Sequence, residues 1–361
     1  MTYAIFSIVA NEVSPSGCSA YTYGQYSFSP YVRAPFFQFS EQLVDDWSIN
    51  GGTHPAYPFL TGNGGANQVA VFGYLGLRLI PDGILHLNPN LPPQIPHIRY
   101  RTFYWHGWPL EASANYTQTT IQRATNRRPL ASADPKYANS PITVHVGSAN
   151  NITVYSLPPS GQLVIPNRQI GSINTLAGNL VQCQPVFSPN EFAPGQFPIS
   201  AVDGAASTKW QPRRSSSTSS LTVTLPDYAS SATISGFAFD WAQAPPVSAK
   251  VVLHDEPLHP VMDAEDGDAS SSSPTTPAGS VTVWESAKVP LSDPYDPIKI
   301  DLNMIMSYKG NTTNVTLPST VPATKFATLL IRGNQALGPV EIRAGNGTGA
   351  TVAEWSIVRS S

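Results

Sequence analysis

The chain has 361 residues, more than one hydrophobic core usually organises, so its length favours two or three domains. Hydrophobic residues make up 41% and aromatic residues 10%, which argues against a disordered chain. Charged residues make up only 12% and 35 residues are proline, a balance typical of loop-rich β domains. The net charge is -3 without a basic stripe, which excludes the electrostatic pattern of a nucleic-acid-binding protein. We interpret Arg127-Arg128 and Arg213-Arg214 as solvated loop charges.

Residues 1–80 are predicted to be helical. Residues 4–13 are mostly apolar, and apolar residues recur at helical spacing within residues 36–47. Apolar residues then fall nearly all round a third helix over residues 64–80, which Asn63 would cap and a Pro-Asp-Gly turn would end. A helix that is apolar on every side is buried by its neighbours. We therefore expect this segment to complete a larger helical domain.

Beyond Pro81 the pattern changes from helical spacing to short alternating runs separated by Pro, Gly and Asn turns. The predicted strands are residues 84–87, 98–105, 142–146, 151–155, 221–225, 233–239, 250–253, 280–285 and 326–331. Residues 255–280 are acidic and rich in Ser, Pro and Thr, which predicts a flexible insertion in the second β unit.

The two cysteines, Cys18 and Cys183, match no metal or redox spacing. Each pairs with the other, pairs with a cysteine upstream, or stays free, and the sequence leaves all three alternatives open. N-glycosylation sequons occur at Asn115, Asn151, Asn311, Asn314 and Asn346. They favour a secretory route for the protein. No signal peptide and no membrane span is visible, although a secreted protein should begin with a signal peptide. We therefore expect that Met1 is not the native start.

Three motifs lie close together near the N-terminus: F-S-E at residues 39–41, G-G-T-H-P-A-Y-P-F-L-T-G at residues 51–62 and G-G-A-N-Q at residues 64–68. Residues 1–170, which contain these three motifs, resemble the C-terminal portion of fungal acid trehalases of glycoside hydrolase family 65. A fourth motif, A-V-D-G-A-A-S-T-K-W at residues 201–210, resembles the signature of discoidin-like (coagulation-factor C-type) domains. Such sandwiches are often appended to carbohydrate enzymes, and their signature tryptophan is buried.

The resemblance implies a multidomain, mainly β architecture. Residues 1–82 would be the C-terminal part of an (α/α) barrel of six helix pairs. Residues 83–170 would form the family 65 C-terminal β-sandwich. Residues 171–361 would form a discoidin-like β-sandwich of jelly-roll type, interrupted by the insertion at residues 255–280. We expect Trp210 and Trp241 to be buried in this last sandwich.

The implied reaction is the inverting hydrolysis of α,α-trehalose to two glucose molecules, by a secreted enzyme of the cell wall, periplasm or vacuole. Inversion needs one carboxyl group to protonate the leaving oxygen and another to activate water on the opposite face. The family's general acid lies upstream, so this chain would be an incomplete enzyme. Its partners would be trehalose and, through the C-terminal domain, a cell-wall glycan. The alternative is a non-catalytic fragment that binds carbohydrate or cell wall.

Glu41 is the residue we expect to act as the general base. It matches the acidic residue that hydrolytic relatives carry shortly before their F-L-T-G run. Because the alignment crosses a loop of variable length, Asp45 and Asp46 remain alternatives. A helix over residues 36–47 would turn Glu41 away from the apolar side chains, towards solvent or a polar lumen.

Two loops that bracket Glu41 supply the predicted substrate-binding residues, which are His54, Thr61, Gly62 and Asn63. In related phosphorylases the loop before the following helix holds phosphate. A carboxylate nearby would repel phosphate and leave room for water, which favours hydrolysis over phosphorolysis. The seven histidines show no metal-ligand spacing, and the acidic insertion lacks a D-x-D-x-D-G calcium loop. We therefore expect no metal and no other cofactor.

Overall fold

The computed structural model describes residues 2–14, 16–148, 151–168, 174–257, 276–292, 311–336 and 348–360. They form two compact units, Met1–Ile173 and Asn174–Ser361, each with its own hydrophobic core. The first unit combines helices with two larger sheets, and the second is built from β-strands and short helical turns. The mainly β, multidomain architecture is thereby confirmed, while the three-domain division stays a prediction.

Helices occupy the start of the first unit, and their bounds are α1 Tyr3–Val13, α2 Ser19–Phe28 and α3 Leu60–Gln68. A π-helical turn, Val69–Tyr74, continues α3. The hydroxyl of Ser7 donates to the Ala20 carbonyl at 2.6 Å, which ties α1 to α2. The Asn11 side chain donates to the Gly73 carbonyl at 2.9 Å, so polar contacts as well as apolar packing hold the helices together.

The third helix begins and ends earlier than the sequence predicts. It starts at Leu60 with Phe59 as the N-cap residue, so the predicted cap, Asn63, lies inside the first turn. It ends at Tyr74, because Gly76 adopts φ +66 and a Cβ at that position would overlap the backbone of Asn88. The expectation of burial on every side is also wrong for the described residues, since Asn67 and Gln68 of this helix are exposed.

The predicted helix over residues 36–47 is absent from the described residues. The chain instead forms a small hairpin of β1 Val32–Arg33 and β2 Gln38–Phe39, followed by an irregular loop. The helical spacing misleads because its apolar residues do not share a buried face: Phe36 is 80% exposed and Trp47 is 57% exposed. Local side-chain hydrogen bonds organise this loop in place of a helical ladder.

Two larger sheets form most of the β part of the first unit, besides the hairpin of β1 and β2. One sheet has the order β3-β7-β8, with β3 parallel to β7, and the other has the antiparallel order β4-β5-β6-β9. The strands are β3 Leu85–Leu87, β4 His97–Trp105, β5 Trp108–Asn115, β6 Gln118–Arg123, β7 Ile142–Ser148, β8 Asn151–Leu157 and β9 Gln162–Pro166. Their inward residues share one core with Val69 and Tyr74 of the helical segment.

The second unit has a five-stranded sheet, ordered β10-β11-β16-β13-β14, and a three-stranded sheet, ordered β15-β12-β17. The strands are β10 Val186–Phe187, β11 Ser219–Thr224, β12 Thr233–Asp240, β13 Ser248–His254, β14 Val281–Ser286, β15 Thr312–Pro322, β16 Phe326–Arg332 and β17 Glu354–Arg359. Trp210, Trp241 and Trp355 are fully buried in the core that both sheets line, which confirms the predicted burial of the first two.

Each of the nine predicted strands coincides with an observed one. Most of the predicted insertion, residues 258–275, lies outside the described residues, as does the sequon at Asn346. Neither cysteine is a free thiol, which removes one of the three alternatives for Cys18 and Cys183. Among the described residues, every helix is too short or too polar to cross a lipid bilayer.

Candidate functional site

The candidate site is the loop of residues 40–59, which we call the Glu41 loop. Its two ends are joined by backbone hydrogen bonds, from Phe59 to Phe39 at 2.7 Å and from Glu41 to Ala56 at 3.1 Å. Helix α3 starts immediately after the loop, at Leu60. The predicted substrate-binding residues therefore divide between the loop, which holds His54, and the first turn of α3.

Glu41 lies at the solvent-exposed start of this loop. Its Oε2 atom accepts a hydrogen bond from the Ala56 amide at 2.9 Å, which fixes the orientation of the carboxylate. Among the described residues, Oε1 has no hydrogen-bond partner. One oxygen is thus held by the backbone, while the other remains open to a ligand or to water.

Asp45 is bound by neighbouring side chains through both of its oxygens. Arg33 donates from Nε to Oδ2 at 2.6 Å and from its second amino group to Oδ1 at 3.2 Å. The Ser40 hydroxyl also donates to Oδ1, at 2.6 Å. The hydrogen bond from Arg33, followed by that from Ser40, lowers the pKa of Asp45 below its ordinary value.

The side chain of Asp46 stabilises the turn that follows it in the chain. Its Oδ1 accepts from the Ser48 amide at 2.9 Å and from the Ser48 hydroxyl at 2.7 Å. These hydrogen bonds lower the pKa of Asp46, the one from the Ser48 side chain most strongly. The carboxylate therefore acts as a turn cap in this conformation.

His54 lines an open cavity of about 470 Å³ together with Arg33, Asp45 and Tyr57. Sequence reasoning missed Arg33 and Tyr57. The sequence contained one indication of the importance of Arg33: it is the sole Lys or Arg among the first 77 residues. Its guanidinium also donates to the carbonyl groups of Gln42 and Leu43, at 2.9 and 3.1 Å, so it organises the Glu41 loop as well as neutralising Asp45.

The remaining predicted residues lie in the first turn of α3. Thr61 and Asn63 are exposed, whereas Gly62 is buried. The Asn63 side chain accepts from Asn67 at 2.8 Å, one turn further along the helix. No hydrogen bond in the described part of the chain joins Glu41 to His54, Thr61 or Asn63.

The discoidin-like motif builds a polar loop over the core of the second unit. Asp203 accepts from the Ala205 amide at 2.9 Å and from the Thr208 hydroxyl at 2.8 Å. The carboxylate oxygens of Glu354 are shielded from solvent, and burial, then the nearby charge of Asp203, raises the pKa of Glu354 well above its ordinary value. Across the described residues, no group of three His, Cys, Asp or Glu side chains is arranged to hold a metal ion.

Comparison with known families gives the class of protein. Residues 77–131 match the family model described as glycosyl hydrolase family 65, C-terminal domain. This match begins near the end of the helical segment and covers the strands β3 to β6 of the first unit. Over these residues the chain is similar to the C-terminal domain of glycoside hydrolase family 65.

The chain is 95% identical over 361 residues to the cell wall acid trehalase of Arthroderma benhamiae and 55% identical to the acid trehalase of Emericella nidulans. These matches cover 100% and 99% of the chain but 34% and 33% of the two relatives, so it spans about a third of their length. The resemblance to fungal acid trehalases is confirmed. A solved chitosan-binding module from Paenibacillus sp. IK-5 covers 50% of this chain and aligns with 99% of its own length, at 17% identity and a TM-score of 0.32.

Proposed function

We propose that this chain is part of an acid trehalase and supplies the general base, Glu41, for the inverting hydrolysis of α,α-trehalose. The names of its relatives support the substrate and the reaction. The observation that carries the role of Glu41 is the difference between three carboxylates in one loop. Within the described residues, both oxygens of Asp45 accept hydrogen bonds, whereas Glu41 and Asp46 each keep one oxygen free while the other is held in place. Asp46 differs from Glu41 in that its hydrogen bonds from Ser48 lower its pKa.

A general base needs an available lone pair and enough basicity to take a proton from water. Glu41 meets the first condition through Oε1, and the Ala56 amide on Oε2 orients the group without occupying both oxygens. Asp45 fails both conditions, because its two oxygens are engaged and its pKa is lowered by Arg33. Asp46 keeps Oδ2 free but fails the second condition, because the hydrogen bonds from Ser48 lower its pKa.

The proposed step is a single displacement. Oε1 of Glu41 removes a proton from a water molecule as the water oxygen attacks the anomeric carbon of one glucose unit. The bond from that carbon to the bridging oxygen breaks, and a general acid outside this chain protonates the leaving oxygen. His54 and the first turn of α3 are proposed to bind sugar hydroxyl groups.

The test is Glu41→Gln in the longer trehalase. We expect turnover to fall by about 10²- to 10⁴-fold, the usual contribution of a general base, with the Michaelis constant largely unchanged. Added azide should restore turnover and yield a glucosyl azide, because an anionic nucleophile needs no base.

The matched control is Asp46→Asn, which removes a charge from the same loop but leaves an oxygen to accept from Ser48. It should keep turnover within about threefold of the wild type, since it leaves the proposed base in place. Near-normal turnover of the Glu41→Gln variant would refute the assignment and make Asp45 and Asp46 the next candidates.

We also propose that the protein is secreted to the cell wall and that its second unit contacts a wall glycan. A cell-wall relative at 95% identity supports the location, as do the exposed sequon residues Asn115, Asn151 and Asn314. Deleting residues 174–361 from the longer protein should then reduce its retention on cell walls and spare turnover. Equal retention after the deletion would contradict the glycan contact.

A further inference from the structure

A groove with three arginine side chains lies along strand β4, at the edge of the four-stranded sheet of the first unit. Its volume is about 670 Å³, and its lining includes Arg99, Arg101 and Arg127. Arg99 and Arg101 come from the strand, whereas Arg127 comes from the loop after β6. The fold thus brings together guanidinium groups that are 26 and 28 residues apart in sequence.

A β-bulge decides which side chains face this groove. Tyr100 pairs with Ala112 and Phe103 pairs with Leu110, so two residues of β4 stand opposite the single residue Glu111. The extra residue reverses the alternation, because Tyr100 and Trp105 are both buried although five positions separate them. In consequence Tyr104, 42% exposed, joins the outward face that carries Arg99 and Arg101.

The groove carries uncompensated positive charge. Arg99 faces Glu111 at 3.8 Å but its side chain is 75% exposed, and the other oxygen of Glu111 accepts from Gln122 at 2.6 Å. Arg101 and Arg127 are exposed and make no ion pair with any described residue. The net charge of the chain is -3, so this positive groove is a local feature and not a consequence of the overall composition.

We propose that this groove binds an anionic polysaccharide. The planar guanidinium groups match carboxylate or phosphate oxygens in bidentate geometry, and the exposed ring of Tyr104 offers an apolar face for a sugar ring. The volume suits a few sugar units. Because the groove is open, a single anion gains little from each exposed guanidinium, whereas a polymer that engages several together gains avidity.

The proposal does not rest on the catalytic role of Glu41. Its test is binding of polygalacturonate and of a phosphorylated mannan to the full 361-residue chain, with neutral dextran and poly(U) RNA alongside. The two anionic polysaccharides separate carboxylate from phosphate recognition. We expect the chain to bind at least one of them, not to bind dextran, and to bind the RNA at least tenfold more weakly.

Three variants locate the site. Arg101→Gln with Arg127→Gln should weaken binding by about tenfold or more, since it removes two of the three guanidinium groups that a polymer would engage together. Tyr104→Ala should weaken it by about threefold, in keeping with a single sugar–aromatic contact. The control, Arg213→Gln with Arg214→Gln, removes an equal charge from exposed positions of the second unit and should change affinity less than twofold.

Circular dichroism and melting temperature of each variant report whether the sheet is intact. Equal binding by the Arg101/Arg127 double variant and the wild type would overturn the proposal. So would an equal loss in the Arg213/Arg214 variant, equal binding of dextran, or tighter binding of RNA than of either polysaccharide. Absence of binding to both anionic polysaccharides would overturn it as well.

Discussion

Glu41 and Asp45 belong to the same exposed loop, yet their carboxylates meet different partners. The Arg33 guanidinium neutralises Asp45, whereas a single backbone amide contacts Glu41. Sequence alone left Glu41, Asp45 and Asp46 as alternatives, because composition and spacing do not reveal which carboxylate an arginine 12 residues away will reach. The hairpin of β1 and β2, which carries Arg33, distinguishes Asp45 from the other two.

Buried Glu354 leads to a prediction about pH. Burial and the charge of Asp203 raise its pKa, and burial also raises the pKa of Asp240. In the folded unit Glu354 stays protonated to a higher pH than in the unfolded chain, whose carboxyl ionises near pH 4. The folded state therefore binds more protons above that pH, and stability should fall as pH rises towards the folded pKa.

Glu354→Gln mimics the neutral acid, so it should flatten this decline. The measurement is the thermal transition of the second unit between about pH 4 and pH 8, with EDTA present so that no cation neutralises the carboxylates. Glu285→Gln, at an exposed position on β14, is the control and should keep the wild-type profile. An unchanged pH profile in Glu354→Gln would refute the assignment.

Two adjacent sequons have different structural environments. Asn311 is 1% exposed, and its side-chain amide donates to the Ala242 carbonyl at 2.6 Å. Asn314 is exposed on strand β15. Because a glycan must replace a hydrogen of the side-chain amide and extend into solvent, we expect glycosylation at Asn314 and none at Asn311.

Peptide mass spectrometry after enzymatic deglycosylation distinguishes the two sites. Asn314→Gln should remove one glycan from the secreted protein. Asn311→Gln should leave the glycan count unchanged and lower the melting temperature, because Asn311 adopts φ 56 and asparagine tolerates that conformation better than glutamine. A glycan found on Asn311 would contradict the structure of this segment.

At the scale of elements, strands were predicted more reliably than helices. Each predicted strand reached a sheet, because its apolar residues alternate and one face is buried. The predicted helix over residues 36–47 failed because helical spacing does not create a buried face. Its apolar residues need a partner surface, and Phe36 and Trp47 contact none sufficient to bury them.

The end of the third helix depends on one glycine. Gly76 has φ +66 and leaves no space for a Cβ beside Asn88. Gly76→Ala should therefore lower the unfolding free energy by about 1–3 kcal/mol, the usual cost of such backbone strain. Chemical denaturation of the chain gives the value.

Gly64→Ala is the matched control, because Gly64 lies in α3 and a Cβ added there would meet no atom within 4 Å. Alanine there should raise stability by up to about 1 kcal/mol, since it is the better helix former. Equal stability of the Gly76→Ala variant and the wild type would show that the turn after the helix is free to rearrange.

At the scale of the whole molecule, α1 presents an apolar face to solvent. Ile5 is 51% exposed, Phe6 47%, Val9 49% and Val13 70%. Contiguous exposed apolar surface of this kind drives association. The 361-residue chain, expressed alone, is therefore expected to self-associate, as measured by light scattering after size-exclusion chromatography.

Val9→Lys with Val13→Lys should shift that chain towards the monomer, because two charges on the face oppose its burial. Val154→Lys, at a 61% exposed position on β8, should leave association unchanged. A monomeric wild-type chain at every concentration would contradict the role of the α1 face.

The sequence by itself determined the β character of the described residues beyond position 83, the family resemblance and the short set of candidate residues, because these depend on alternation and on local motifs. Tertiary structure alone decided which carboxylate Arg33 neutralises, which of two neighbouring sequons is buried, and which arginines meet at β4. Those outcomes depend on contacts between residues far apart in the chain and on a single bulge that reverses a strand's faces. Neither the long-range contacts nor the bulge produces a periodic pattern in the sequence.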